Sequence, residues 1–386
     1  MSADATVTRQ IPFGRPMLGS EERAAAAAVL EGNILTHGPR VKEFESAFAE
    51  FTGAPHAVAT ATCMAALHLA SWAFELGPGD EVLVPAQTHV AGAHGVEVTG
   101  ARPVFVDADP RTGNIDLSLL EGLVTERTKA ISVVHYLGLP LDMGPVMELA
   151  GRHDLRVIED CAVALGATID GTHVGLIGDI GCFSFYPVKH ITTGEGGMVI
   201  TKHDWVADRV GKQRAFGIDK SVLADRRHTG EYEIEHVGLN YRMGEVGAAI
   251  GTEQLRSLPG FLETRAANFH QLHEGLSGIE GLRVLETGTE GSSHYCLSAV
   301  LTDDSVDRAK VIDELKAAGV GTSVYYPKSL PDTRYYRETY GYAERSCPEA
   351  TRISTRSVAF PVAPHLQPGD IEHMIEQVGN VMAGTR

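Results

Sequence analysis

Apolar residues fall into two rhythms along this chain. The first has helical spacing. Residues 20–31 (SEERAAAAAVLE) have an alanine body, acidic residues in the first turn and Ser20 placed as an N-cap, which predicts a helix. Residues 40–52 put Val41, Phe44, Phe48 and Phe51 on one face, which predicts a second, amphipathic helix. The second rhythm is a short apolar run closed by turn residues: HAVAT (56–60), EVLVP (81–85), PVFVDAD (103–109), KAISVVHY (129–136) and RVIEDC (156–161). Helical stretches over 65–76, about 88–98 and about 142–153 separate these runs. Strands of this kind joined by helical crossovers build a mainly parallel sheet with both faces covered. GCFSFY (181–186) and GMVIT (197–201) stand too close together for a crossover helix, so they predict an antiparallel, hairpin-like excursion.

Helical patterns dominate 241–277, and then the chain changes character. Residues 293–301, 306–318 and 320–326 read as strand, helix, strand; 356–362 reads as an edge strand and 368–382 as a last helix. The expected architecture is α/β: a mainly parallel central sheet flanked by helices, followed by a smaller α+β C-terminal domain. The boundary is placed at 255/256, giving a large domain over 1–255 and a small one over 256–386.

Composition narrows the function classes. Of 386 residues, 43% are hydrophobic and 22% charged, as in ordinary globular proteins. The net charge of −17 disfavours a nucleic acid or an anionic membrane as partner, because phosphate backbones need concentrated Lys and Arg. The five cysteines contain no CxxC pair and are odd in number, which fits reduced thiols better than a disulfide frame or a metal site. The first residues, MSADATVTRQ, lack a basic region followed by an apolar core, and no apolar run reaches the roughly 18 residues of a spanning helix. These features predict a cytoplasmic protein.

The chemistry centres on FSFYPVKHITTGEGG (183–197). Lys189 lies between an aromatic strand and a glycine turn. A lysine held against apolar residues loses charge stabilisation, and its neutral amine attacks carbonyls. A surface lysine on a connector is the competing reading. Asp160 ends the strand RVIED, and a carboxylate there can keep a pyridine nitrogen protonated. The alternative for Asp160 is a helix N-cap. An aspartate for the ring and a lysine for the aldehyde are the paired needs of pyridoxal 5′-phosphate. The turn Thr60–Ala65, leading into a helix, can offer amides to a phosphate. Ser184 can add a hydroxyl, or simply bond to backbone. His89, at a strand end, can lie on a cofactor ring or be a satisfied half-buried histidine. Asp160, Lys189 and the turn after Thr60 all sit at strand ends, where open α/β sheets bind ligands.

These blocks, in order, resemble the DegT/DnrJ/EryC1/StrS aminotransferases, a fold-type I family acting with pyridoxal phosphate. The similarity is carried by THGPRVKEFESAFAEFTG (36–53), GDEVLVPAQTHVAGAHGVEVTGARPVFVDAD (79–109), TKAISVVHYLG (128–138), VIEDCAVALGA (157–167), FSFYPVKHITTGEGGMVIT (183–201) and GLNYRMGEVGAAIG (238–251). The resemblance implies a Schiff base on Lys189, which then shuttles the proton, and Asp160 paired with the pyridine nitrogen. It implies phosphate contacts from Thr62, Cys63, Met64 and Ser184, and His89 stacked on the ring. Asn240 would reach the cofactor of a second copy, making a homodimer the working unit. The implied reaction moves an amino group from an amino acid, glutamate, through the pyridoxamine form to a small-molecule keto-sugar on a nucleotide, or to a keto-cyclitol. No metal is implied.

Three positions depart from the family pattern. The phosphate turn commonly reads Ser-Gly-Thr, and here it is Thr62-Cys63-Met64. A polar residue often stands where this chain has Val163. A His-Tyr pair is replaced by Tyr325-Tyr326. Members that dehydrate carry histidine in place of the lysine; this chain keeps Lys189, with His190 after it. A regulatory protein that keeps the fold without catalysis is disfavoured by the intact Asp160, Ser184, Lys189 and Asn240. The stretch 217–237, with Arg226, Arg227 and His228 together, reads as an active-site cover that meets a diphosphate or as a solvated loop.

Overall fold

The computed structural model describes residues 9–218 and 232–385. In chain order the elements are α1 (Ser20–Leu30), α2 (Pro39–Thr52), β1 (His56–Thr60), α3 (Cys63–Ala73), β2 (Glu81–Pro85), α4 (Val90–Glu97), β3 (Arg102–Val106), α5 (Leu120–Leu123), β4 (Thr128–Val134), α6 (Met143–His153), β5 (Arg156–Asp160), β6 (Thr168–Ile169), β7 (Thr172–His173), β8 (Ile180–Ser184), β9 (Gly197–Thr201), α7 (Asp204–Gln213) and α8 (Glu245–Ser277). They continue with β10 (Leu282–Val284), β11 (Leu297–Leu301), α9 (Arg308–Ala317), α10 (Arg334–Tyr340), α11 (Pro348–Arg356), β12 (Ser357–Phe360) and α12 (Asp370–Gly384).

The main sheet has the order β1-β9-β8-β5-β4-β2-β3. All its strands run one way except β9, which is antiparallel to both β8 and β1. The hairpin-like excursion expected at 181–201 is therefore the β8–β9 pair, and the loop between them carries Lys189. The carboxyl ends of β1, β5 and β8 share one edge of the sheet. On one face Phe44 and Phe48 of α2 meet Phe185 and Phe183, each pair with ring centroids 5.2 Å apart. Burying rings like these contributes roughly 2–3 kcal/mol each, and it seats the β8 end firmly.

Beyond α8 lies a three-stranded antiparallel sheet, β10-β11-β12, with α9 and α12 packed into its core. Helix α8 runs unbroken through residues 255 and 256. Several expectations need correction. Gly19, not Ser20, caps α1; its N–H donates to Glu22 Oε2 at 2.6 Å, a bond that needs only backbone at the cap. Residues 320–326 form no strand. Val320 and Ser323 make single bridges to Ile11 and Ala359 instead, because the chain crosses the sheet edge and does not follow it. Strand β10 and helices α10 and α11 were not anticipated: the strand is short, and the helices are rich in polar residues.

Candidate active site

At the shared strand edge lies a cavity of about 540 Å³. Thr62, Cys63, Met64, His89, Asp160, Ser184 and Lys189 all line it. Asn240 does not: it is exposed and bridges Ala215. The expected cover is only partly visible, since Arg226, Arg227 and His228 lie outside the described residues.

Each lining residue is placed by its element. Thr62 is the N-cap of α3, its hydroxyl accepting from the Ala65 N–H at 3.0 Å. The helix thus begins at Cys63, two residues earlier than its apolar pattern predicts, and the first amides point outward without intrahelical acceptors. A Cβ on Gly197 would stand 2.5 Å from the Thr62 carbonyl oxygen. Only glycine lets β9 pass this close to the helix start. Glu195, in the preceding turn, also lines the cavity.

Asp160 is buried at the end of β5, and its Oδ1 accepts from the Ala162 N–H at 2.9 Å. No helix follows, so this bond closes a turn. Burial raises its carboxyl above the usual range, while that N–H and the charges of Lys189, His89 and His135 pull the other way. Burial also lowers the Lys189 ammonium from its ordinary value, against the opposing pull of Cys63, Asp160 and Cys296. Its Nζ lies 5.0 Å from the centre of the Tyr295 ring. A lysine eased toward its neutral form can accept a proton or attack a carbonyl. His89 caps α4, its Nδ1 accepting from the Ala91 N–H at 3.2 Å. That bond and the partial desolvation of the ring, which lowers its pKa, both favour the neutral form. Ser184 Oγ makes only a long 3.4 Å contact with the Tyr186 N–H, so it keeps bonding capacity.

A tyrosine wall completes the cavity. Tyr295 and Tyr325 share a hydroxyl–hydroxyl bond of 2.8 Å, and the Tyr326 ring stands edge-on to His89 at 5.7 Å. Gln87 Nε2 donates to the Tyr325 carbonyl at 2.7 Å, and the Tyr136 hydroxyl donates to the same oxygen. Tyr325 and Tyr326 stood out in the sequence only as a departure from a pattern. Tyr295 and Gln87 gave no signal, since isolated aromatic and amide residues are common in cores. Val163, the apolar departure, is buried and lines the cavity.

Behind Asp160 lies a buried polar brace. His135 Nε2 meets Glu159 Oε2 at 2.9 Å, and the Gly175 and Gly178 amides donate to the same carboxylate at 2.7 and 2.6 Å. Cys161 lies nearby, with its ligand-type atom within 4.8 Å of theirs. Each Glu159 oxygen already accepts N–H bonds, and the Leu141 N–H occupies His135 Nδ1. The group therefore reads as a structural brace for β5.

The family model for DegT/DnrJ/EryC1/StrS aminotransferases matches residues 16–379. The chain belongs to this aminotransferase family. Like its members, it is an enzyme that works with pyridoxal phosphate. It is similar to the spore coat polysaccharide biosynthesis protein SpsC of Bacillus subtilis, at 35% identity over 97% of each chain. Among solved structures it is similar to the aminotransferase TlmJ of Streptoalloteichus hindustanus, with 32% identity, a TM-score of 0.88, and 97% of this chain and 99% of that one covered. It is also similar to Spr1654 of Streptococcus pneumoniae in its PLP form, with 28% identity, a TM-score of 0.90 and coverage of 98% and 100%. The same protein has a PMP form, the aminated state of the cofactor that transamination requires.

Proposed function

We propose that this aminotransferase moves the amino group of glutamate to a keto-sugar carried on a nucleotide, with Lys189 and Asp160 as its catalytic residues. The observation that supports this most is one cavity holding a half-buried lysine whose pKa is lowered, a buried aspartate and the open start of α3.

The donor set fits pyridoxal phosphate. The amides of Cys63 and Met64 and the Ser184 hydroxyl would bind its phosphate at the α3 N-terminus, where the helix dipole favours an anion. Glycine at 197 leaves that approach unblocked. Asp160 would face the ring nitrogen and hold its positive charge. When bound, the cofactor supplies an aldehyde for amine exchange and a ring that spreads negative charge. Lys189 Nζ would take up and return the proton at the reacting carbon, and the lowering of its pKa by desolvation is in the direction that task needs. The neutral His89 ring would pack on the cofactor face. The aromatic wall excludes water from the reacting atoms.

Two observations support a sugar acceptor. Tyr186, Tyr295, Tyr325 and Tyr326 give flat apolar faces with hydroxyls at their rims, a surface suited to a sugar ring. SpsC, similar along its whole length, is named for polysaccharide biosynthesis. Exposed Asn240 and the exposed apolar residues Ile34, Leu35 and Val237 support a homodimer in which each copy completes its partner's site.

Lys189→Ala is expected to abolish both turnover and the visible absorbance of the lysine-bound cofactor; full activity in that variant would sink the proposal. A panel of keto-sugar nucleotides and keto-cyclitols with glutamate, scored by product mass, identifies the acceptor. Release of 2-oxoglutarate separates transamination from dehydration.

A further inference from the structure

Arg265, on α8, is 3% exposed. Its Nη1 donates to the Tyr295 carbonyl at 2.9 Å, but its Nε, also buried, finds no acceptor among the protein atoms. Among the described residues no carboxylate pairs with it. The acids that feel its charge are Tyr295, Cys296 and Tyr325, and burial pushes all three upward, so they are neutral at neutral pH. Burial lowers Arg265 itself only to about 10, so it stays charged. A buried guanidinium with no counter-charge is a costly arrangement, and proteins rarely leave one uncompensated.

Beside it lies a small cavity of about 20 Å³, lined by Arg265, His190, Thr192, Gln254 and Arg15. Val188, Lys189 and Tyr295 form part of its wall and of the catalytic cavity's wall. No Asp or Glu lines it. His190 is neutral, held well below its ordinary value by burial, and its Nε2 donates to the Ser293 carbonyl at 3.1 Å. The Gln254 amide group is spent on Met17 O and Glu22 Oε1, both at 2.7 Å. The space holds one species of about water size and excludes phosphate or sulfate. Water would satisfy the Nε–H but leave the charge bare; a small anion does both.

We propose that this cavity is a binding site for one monovalent anion of chloride size, held by Arg265 behind the loop that carries Lys189. The proposal goes beyond the aminotransferase reading and does not depend on the acceptor. Bromide serves as the probe. Crystals of the holoenzyme soaked in bromide and measured at the bromine edge are expected to show an anomalous peak within about 3.5 Å of Arg265 Nε. At fixed ionic strength, replacing gluconate by bromide should raise Tm by roughly 1–3 °C, and Arg265→Gln should remove that rise. Water alone at the site, bromide only on the surface, or the same bromide effect in Arg265→Gln would overturn the proposal. If the variant fails to fold, the crystallographic measurement decides by itself.

Discussion

Asp160 shows how folding and chemistry compete at one residue. Burial raises its pKa, so the carboxylate is disfavoured in the folded chain. The sign follows from linkage: between the unfolded value of about 3.9 and the raised folded one, the folded state binds more protons, so stability falls as pH rises through that window. Asp160→Asn keeps the turn and removes the buried charge. We expect the cofactor-free variant to melt roughly 1–3 °C higher at pH 7 while binding pyridoxal phosphate at least about tenfold more weakly, as read by melting curves and cofactor titration. Lys189 carries the opposite sign. Its lowered pKa means the unfolded chain binds the extra proton, so the cofactor-free protein gains stability as pH rises toward 10.5. At this scale the sequence was informative because these two residues end apolar runs, where a charged side chain has few structural duties.

At the scale of elements, the candidate site depends on how closely α3 and β9 approach. Gly197→Ala forces a Cβ toward the Thr62 carbonyl, and either the strand or the helix start must shift. We expect about 1–3 kcal/mol of lost stability by urea unfolding, and at least a tenfold rise in the cofactor Kd. A second contact joins α4 to α10. Glu97 accepts from the hydroxyls of Tyr335, Tyr336 and Tyr340 at 3.0, 2.7 and 2.7 Å. Glu97→Leu strands three hydroxyls, Tyr336 among them fully buried, and should cost about 2–3 kcal/mol by the same measurement. The apolar rhythm revealed the strands that build the main sheet. It misplaced the start of α3, because a threonine side chain and not hydrophobicity begins that helix. It read 320–326 as a strand because its apolar residues are fully or partly buried where the chain crosses the sheet edge.

For the whole molecule, acid is the expected weakness. Burial lowers both His173 and His294 to about 4, so the unfolded chain binds protons that the folded one refuses. Stability should therefore decline as pH falls from about 6.5 to about 4, and His173→Gln should flatten that limb of a Tm-versus-pH curve. Light scattering should give a mass about twice that of the 41.3 kDa chain; a single-chain mass at working concentration would argue against the shared site. By itself, the sequence determined the mainly parallel sheet and singled out Lys189 and Asp160 at its strand ends as candidates, because these follow from local periodicity and from residue types with few other uses. Only the tertiary structure decided that β9 passes close against the start of α3 at Gly197, that Tyr295, Tyr325 and Tyr326 wall the cavity, and that Arg265 lies buried behind Lys189. Those contacts join residues from 30 positions apart, as Tyr295 and Tyr325, to well over 100 apart, as His89 and Tyr326, and no pattern along the chain carries the distance between them.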